Sequence, residues 1–280
     1  MIKQILSSFW DWKRQWFQIL LLVIVFCLPL VFGAEDKLSL FFNKNDVDLE
    51  NYFYYIIWSL GKWGICLVAA ITFDVLVICS WNEDFVLNRG MLYHDHFYLS
   101  YCFCAGILGY KKCSLKLVPI PLQFKLILYE TFSEYIYDDG IHDPCKGDKK
   151  EKGTKVFYEN NSKFTQRVNL VLIDTYPIQK GQLPHNVLGL TIVYVERTRI
   201  KKDKMRYSSE EFLKKVLNTV REWPDVVTEV NIFATLNPSN CYNIVKEVFC
   251  TGGRDNIRHI WVYKQEGNPP RHFYGGVKIY

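Results

Sequence analysis

A long uncharged apolar segment near the start of the chain limits what this protein can fold into. The run "QWFQILLLVIVFCLPLVFGA", from Gln15 to Ala34, holds 20 residues without a charge. As an α-helix it spans about 30 Å, the thickness of the hydrocarbon core of a bilayer. The basic pair Lys13 and Arg14 before it and "VFGA" at its end are also typical of a cleaved signal peptide. The run is long for a signal peptide and a second apolar segment follows, so we interpret it as a membrane anchor.

The second apolar segment, "WGICLVAAITFDVLVICSW" from Trp63 to Trp81, has tryptophan at both ends. Tryptophan is common where indole rings lie at the level of the lipid headgroups. The loop between the segments is acidic, whereas basic residues lie outside them. The acidic residues are Glu35, Asp36, Asp46, Asp48 and Glu50, and the basic ones are Lys3, Lys13, Arg14, Arg89, Lys111 and Lys112. The positive-inside rule therefore predicts a two-helix transmembrane hairpin over residues 1–82, with both termini in the cytoplasm.

A carboxylate interrupts the second segment. Asp74 lies eight residues before Asn82, the expected inner edge of the span. A charge at that depth costs several kcal/mol unless it is paired, protonated, or facing water or a partner helix. In one interpretation Asp74 shapes a membrane assembly, as part of a subunit interface or a pore, and a pore requires several subunits. In the other, the helix is shifted by a turn and Asp74 lies near the inner interface.

The middle of the chain, residues 83–161, is interpreted as a connector that is either separate from the following domain or part of it. Pro119 and Pro121 lie in an alternating apolar segment and indicate an edge strand or a bend. Residues 138–161 are dense in Gly, Pro, Asp and Lys without periodicity, which is typical of a long loop.

The chemistry-bearing residues form no recognisable catalytic or metal-binding set. The odd number of cysteines, nine, favours a reducing compartment over a disulfide framework. His94-x-His96 and Cys102-x-Cys104 match no standard zinc spacing. No nucleophile elbow, phosphate-binding loop or metalloprotease motif is present. We therefore predict no catalytic residues, no metal and no cofactor; the alternative is an enzyme in which Asp174, His185 and Glu196 converge from strand ends.

The last part of the chain, residues 162–280, alternates between strand and helix patterns. The strands are predicted at Val168–Asp174, Val187–Glu196, "VTEVNIFATL", "IRHIWVYK" and a returning "HFYGGVKIY", and the helices start at Ser208, with a Ser208–Glu211 capping box, and at Pro238. This alternation predicts an α/β domain with a Rossmann-like, largely parallel sheet. Right-handed crossovers place the carboxyl ends of its strands along one ligand-facing edge.

One strand-to-helix turn in this domain has the residues of an anion site. In "TLNPSN", Asn237 is a good N-cap, Pro238 suits the first helical position, and Ser239 and Asn240 fill the first turn. Exposed amides and the helix dipole at such a turn favour a phosphate. The alternative is an ordinary capped helix without a ligand.

The segment "VNIFATLNPSNCYNIVKEVF…RHIWVYK…FYGGVKIY" resembles the last strand-helix-strand unit of SAVED domains. These are fused two-unit relatives of the CARF domain and bind cyclic oligonucleotides in bacterial antiphage signalling. The matching positions are Phe233, Ala234, Pro238, Ser239 and Tyr263. By analogy, Asp174 and Thr175 in "IDTYPI" supply a second ligand-edge loop. Only one unit is legible, so the second lies within residues 84–161 or the subunits pair.

The resemblance implies a membrane effector of the bacterial inner membrane that acts in antiphage defence. A cyclic oligonucleotide-type signal would bind Asn237, Ser239 and Asn240 through its phosphates and Tyr263 through a base. Binding would assemble a homo-oligomer whose hairpins disrupt the bilayer. The alternative is a membrane toxin held inactive by a protein or by a reverse-transcriptase–RNA complex. In that case the α/β domain is a docking surface.

Overall fold

The computed structural model describes residues 12–41, 56, 59–90, 92–137, 153–160, 164–198, 208–251, 256–268 and 270–280. The chain forms two compact units. The first comprises Met1–Leu92 and Leu99–Cys113, and the second Tyr93–Tyr98 and Ser114–Tyr280. The predicted connector therefore contributes to both units. Most of the expected acidic outer loop and of the expected long loop, residues 42–55 and 138–152, lie outside the described residues.

The first unit contains the predicted hairpin. Its helices are α1 (Lys13–Val31), α2 (Ala34–Phe41) and α3 (Gly61–Asn82). With 19 and 22 residues, α1 and α3 are long and apolar enough to cross a membrane. They pack against each other in antiparallel orientation, because Arg14 donates to the carbonyl of Trp81 at one end and Phe26 stacks on Trp63 at the other.

The rest of the first unit is small and apolar. A short strand β1 (Val86–Leu87) pairs in parallel with β2 (Lys112–Ser114). Between them the chain forms α4 (Tyr98–Gly106), which lies within the predicted connector. The side chains of Tyr101, Cys104, Leu108 and Cys113 are fully or almost fully buried and form the core of this part.

The second unit is built on a six-stranded sheet with the order β4-β6-β5-β7-β8-β9. Its strands are β4 (Thr154–Glu159), β5 (Arg167–Ile173), β6 (Ile192–Arg197), β7 (Glu229–Thr235), β8 (His259–Glu266) and β9 (His272–Lys278), and a separate short strand, β3, covers Glu134–Ile136. Strands β5 to β8 run parallel, whereas β4 and β9 pair antiparallel at the two edges. The prediction of a largely parallel α/β sheet is confirmed.

The central strands β5, β6 and β7 are buried on both faces, as is typical of parallel strands, whereas the edge strands β4 and β9 are partly exposed. The helices of this unit are α5 (Ile120–Leu128), α6 (Glu210–Arg221) and α7 (Pro238–Ile244), and α7 continues as a π-helical turn, Val245–Thr251. Helix α6 packs against β4 and β6, and α5 packs against β8. An apolar cluster that includes Val171, Tyr194 and Phe233 packs against Ile178, Leu183 and Val187 of the segment joining β5 to β6.

Three local predictions are corrected by the structure. Pro119 and Pro121 do not mark an edge strand, because Pro119 is the N-cap of α5 and Pro121 lies in its first turn, where proline loses no helical hydrogen bond. Strand β4 lies inside the expected long loop. The N-cap of α6 is Ser209 rather than Ser208, since its hydroxyl accepts from the amide of Phe212.

Candidate functional site

The carboxyl ends of the two central strands bring two loops together. Ile173 of β5 and Thr235 of β7 are partners in the parallel ladder, so the residues that follow them emerge side by side. Both the amide and the hydroxyl of Thr175 donate to the carbonyl of Thr235 at 2.7 Å. The hydroxyl of Thr235 donates in turn to the carbonyl of Tyr176 at 2.7 Å. These bonds hold the "IDTYPI" loop against the end of β7.

Asp174 is the centre of this edge. Its side chain is fully buried, and Oδ1 accepts from Nη1 of Arg197, the last residue of β6, at 2.7 Å. Oδ2 accepts from the amide of Asn237 at 3.1 Å and from the side-chain amides of Asn237 and Asn240 at 2.9 and 3.0 Å. A buried carboxylate is stable when such partners replace its hydration.

Asn237 and Asn240 extend the network into the helices. The side-chain oxygen of Asn237 accepts from the amide of Asn240 at 2.8 Å, so Asn237 is the N-cap of α7 as predicted. The side-chain oxygen of Asn240 accepts from the amide of Ser209, the N-cap of α6, at 3.0 Å. Asp174 therefore connects the ends of three strands with the starts of two helices.

The predicted exposure of the turn at Asn237–Asn240 is wrong. Asn237, Ser239 and Asn240 are only 1%, 3% and 2% exposed. The physical reason is that the carboxylate of Asp174 supplies, from inside the protein, the negative charge that this helix start favours. The position of Asp174 directly after the buried strand β5 is the sequence signal for this arrangement. The sequence did not predict Arg197 as its partner.

The accessible part of the edge is formed by other residues. Tyr176 is 63% exposed, and Thr175 and Pro238 are partly exposed. Tyr176 was not among the predicted site residues, although its place directly after Asp174 and Thr175 is a usable signal. A flat aromatic side chain at a strand edge provides a surface for stacking against a planar group.

Tyr263 is partly buried and packs against the apolar cluster of the sheet. It stacks on Phe233 with a centroid distance of 4.4 Å and an interplanar angle of 28°. Across the sheet it pairs with Gly276 of β9, where an added Cβ would lie 2.8 Å from the ring. Burial raises the pKa of the Tyr263 hydroxyl. The ring is thus occupied by contacts within the sheet.

Among the described residues, potential catalytic and metal-binding side chains do not lie together at one site. His185 is exposed on a short 3-10 turn, whereas Asp174 is buried and paired with Arg197. Within the described ranges, no group of three or more His, Cys, Asp or Glu residues could hold a metal ion. The cysteines in those ranges are free thiols.

Asp74 lies within a π-helical segment, Asp74–Ile78, of α3. Its Oδ2 is 3.9 Å from Sγ of Cys79, and its Oδ1 is buried with no hydrogen-bond partner among the described residues. Helix α3 ends at Asn82, so Asp74 lies about 12 Å along the helix from that end. Such π-helical segments are frequent at functional sites.

The chain is similar to two solved structures of the Acinetobacter baumannii Cap4 SAVED/CARF-domain containing receptor. One contains the cyclic trinucleotide 3'3'3'-cAAA and the other 2'3'3'-cAAA. Both are 9% identical to this chain, with TM-scores of 0.42 and 0.44. Each match covers 65% of this chain, which spans 42% and 41% of the receptor chains. A search of curated proteins gave no match.

A family model provides the assignment. The model of the SMODS- and Ubiquitin system-associated 2TM effector domain matches residues 1–277. The match includes both apolar helices and the six-stranded sheet up to residue 277, one residue before the end of β9. The chain therefore belongs to the SUa-2TM family, the SMODS- and Ubiquitin system-associated 2TM effector domains.

Proposed function

We propose that this protein is a membrane effector of bacterial antiphage defence that is gated by a cyclic oligonucleotide-type signal. The sheet of the second unit senses the signal, and the hairpin of α1 and α3 then disrupts the inner membrane. The observation that carries the proposal is the family match over residues 1–277, since one effector domain includes both the hairpin and the sheet. The basic residues on either side of the hairpin support a cytoplasmic position for both termini.

The signal would bind at the carboxyl edge of β5 and β7. Ligands of open α/β sheets bind outside the carboxyl ends of the strands. Tyr176, Thr175 and Pro238 are the accessible residues there and would contact the ligand. Asp174, Asn237 and Asn240 would act as positioning residues, because their bonds hold both loops. Ser239 lies in the same buried turn. Tyr263 would support the edge through its stacking on Phe233.

Gating requires that the ligand distinguish two states of the protein. A ligand shifts an equilibrium only by the difference between its affinities for the two states. We propose that these states differ in the association of subunits, because two spans per chain cannot enclose a pore. Asp74, an acid within a transmembrane helix, is the residue that we assign to this association.

A second candidate function is favoured by the burial of the Asn237–Asn240 turn. Asp174 accepts from the amide of Asn237 and from the side chains of Asn237 and Asn240, and Asn237 caps the amide of Asn240, so these donors are already paired within the protein. A docking surface for an inhibitory protein or a reverse-transcriptase–RNA complex needs no such donors. In this alternative the protein is a membrane toxin that is released from its partner.

The two functions are separated by binding measurements on the full chain in detergent. We expect one member of a panel of cyclic di-, tri- and tetranucleotides to raise the thermal unfolding midpoint. Tyr176→Ala should lower the affinity for that ligand about tenfold, because it removes a base–aromatic stack worth roughly 1–3 kcal/mol. Tyr274→Ala is the matched control, since Tyr274 is similarly exposed, at 56%, on the edge strand β9.

The two candidate functions predict different outcomes of these measurements. If no nucleotide of the panel shifts the midpoint, the gating proposal is wrong. A protein or nucleoprotein that co-purifies in a stoichiometric amount would instead support the second candidate. An equal loss of affinity in Tyr176→Ala and Tyr274→Ala would contradict the assignment of the site to the carboxyl edge.

A further inference from the structure

Helix α4 and the two residues that follow it, Ile107 and Leu108, have apolar side chains on two sides. Tyr101, Cys104 and Leu108 are buried and form the inner side. Leu99, Phe103 and Ile107, spaced four residues apart, are 78%, 38% and 48% exposed and form the outer side. A helix that is hydrophobic all round belongs in a protein core or in a membrane. The outer side of α4 lacks cover within the part of the chain that the structure describes.

The residues after α4 connect it to the ends of both membrane helices. Tyr110 is 2% exposed, accepts a hydrogen bond from Nε2 of Gln15 at 3.2 Å and donates to Oε1 of Gln18 at 3.4 Å. The carbonyl of Leu108 accepts from Nδ2 of Asn82 at 2.7 Å. Since Gln15 and Gln18 lie at the start of α1 and Asn82 ends α3, this segment packs at one end of the hairpin.

Three contacts define the depth of the segment relative to α3. Sγ of Cys79 donates to the carbonyl of Ile107 at 3.6 Å. At Gly109, with φ +69°, a Cβ would lie 2.6–2.8 Å from atoms of Cys79, so only glycine allows this approach. Lys111 pairs with Glu83 at 2.5 Å. The chain from Ile107 to Lys111 therefore runs beside α3 from Cys79 to Glu83.

The distribution of charge locates the water boundary. No charged residue occurs from Phe97 to Tyr110, whereas Lys111 and Lys112 follow directly and pair with Glu83 and Asp84. Cys79 lies inside the apolar span of α3, and the charged pairs lie just beyond its end. The outer side of α4 ends at Ile107, at the depth of Cys79, so it is continuous with the lipid-facing surface of the hairpin.

We propose that α4 is a third membrane-contacting element, an interfacial helix whose outer side is immersed in the acyl-chain boundary of the cytoplasmic leaflet. With nine residues it is about 13 Å long and cannot cross the bilayer. Helices of this kind lie in the plane of the interface with their apolar side in lipid. The inference depends on the hairpin crossing a membrane, but not on any signal that gates the protein.

The experiment is photocrosslinking of the full chain in liposomes of phosphatidylethanolamine and phosphatidylglycerol. p-Benzoylphenylalanine is introduced at Leu99 or Phe103, and lipid adducts are measured by mass spectrometry after irradiation. Leu20, 56% exposed on α1, is the positive control, and Tyr274, 56% exposed on β9, is the negative control. We expect adduct yields at Leu99 and Phe103 of the same order as at Leu20, with a background yield at Tyr274.

Three results would overturn the proposal. Adducts at Leu20 without lipid adducts at Leu99 and Phe103 would show that α4 lies outside the bilayer. Adducts from α4 that join two protein chains instead of lipid would show that a second copy covers it. If lipid adducts were missing at Leu20 as well, the hairpin would not cross the bilayer. The assignment of α4 to the membrane interface would then also be wrong.

Discussion

At the scale of single residues, the most unusual feature is the buried ion pair of Asp174 and Arg197. The two side chains are 0% and 4% exposed, and the carboxylate accepts three further hydrogen bonds from Asn237 and Asn240. A buried pair contributes little net stability compared with apolar residues, but removing one partner leaves the other charge uncompensated. Its main effect is therefore to specify where the two loops of the edge lie.

The first prediction concerns Asp174→Asn. The amide preserves the shape of the side chain but leaves the buried guanidinium of Arg197 without its counter-charge. We expect the free energy of unfolding to fall by about 3–5 kcal/mol. It is measured by denaturant unfolding of the full chain in detergent, with the fluorescence of Trp223, 1% exposed in the same unit, among the signals.

The matched control is Glu210→Gln. Glu210 pairs with Lys214 at 3.3 Å on the surface of α6, and the two side chains are 79% and 72% exposed. An exposed pair of this spacing contributes about 0.3–0.5 kcal/mol. If Asp174→Asn were no more destabilising than Glu210→Gln, the central role of Asp174 would be contradicted.

At the scale of secondary-structure elements, α3 departs from regular geometry at Asp74. The helix is α-helical over Gly61–Phe73, π-helical over Asp74–Ile78 and α-helical again to Asn82. A π-helical segment inserts an extra residue and changes the direction in which the following side chains point. The neighbouring Val75 and Leu76 are 59% and 68% exposed, as expected of lipid-facing positions.

The prediction at this scale is that Asp74→Leu weakens the association of subunits in the membrane. A polar contact between transmembrane helices is worth roughly 1–2 kcal/mol, so its loss should reduce the association constant about tenfold. Chemical crosslinking in liposomes and leakage of a trapped dye measure association and membrane disruption. Ligand binding to the second unit should persist.

Val75→Leu is the control for this prediction. It changes the adjacent residue of the same π-helical segment to the same side chain without removing a charge. Equal crosslinking of Asp74→Leu and the unchanged protein would show that Asp74 does not contribute to the association of subunits. An equal loss of crosslinking in Asp74→Leu and Val75→Leu would show that the packing of leucine, and not the loss of the carboxylate, causes the effect.

At the scale of the whole molecule, the proposed function is a coupling between two events. Ligand binding to the sheet and association of the hairpins must favour each other, and thermodynamic linkage makes this effect reciprocal. The family match supports such a coupling because both units belong to one effector domain. A coupling of 1–3 kcal/mol, typical of such systems, changes affinity by about 5–150-fold.

The prediction is therefore that ligand affinity rises with protein density in the bilayer. Proteoliposomes at low and high protein-to-lipid ratios are titrated with the cyclic nucleotide that stabilises the protein. We expect tighter binding at high density, by a factor within about 5–150. In Asp74→Leu the affinity should stay at the low-density value, and a density-dependent affinity in that variant would argue against the coupling.

The sequence by itself determined the hairpin, the parallel sheet and most strand positions. The expected span from Trp63 to Trp81 agrees with α3, and the expected strand from Val168 agrees with β5. These features depend on the length and period of apolar runs, which reflect transfer out of water and local backbone geometry. Even the N-cap of α7 at Asn237 follows from residues within one turn.

Only the tertiary structure decided which polar groups remain accessible. The sequence predicts an open anion site at the turn Asn237–Asn240. In the structure, the amide of Asn237 donates instead to Asp174, which lies 63 residues earlier in the chain. The sequence likewise predicts only a connector where α4 lies. The hydrogen bonds of Tyr110 and Leu108 in the structure connect α4 to the hairpin. The physical reason is that a hydrogen-bond donor is satisfied by its neighbours in space, and distant parts of the chain supply those neighbours.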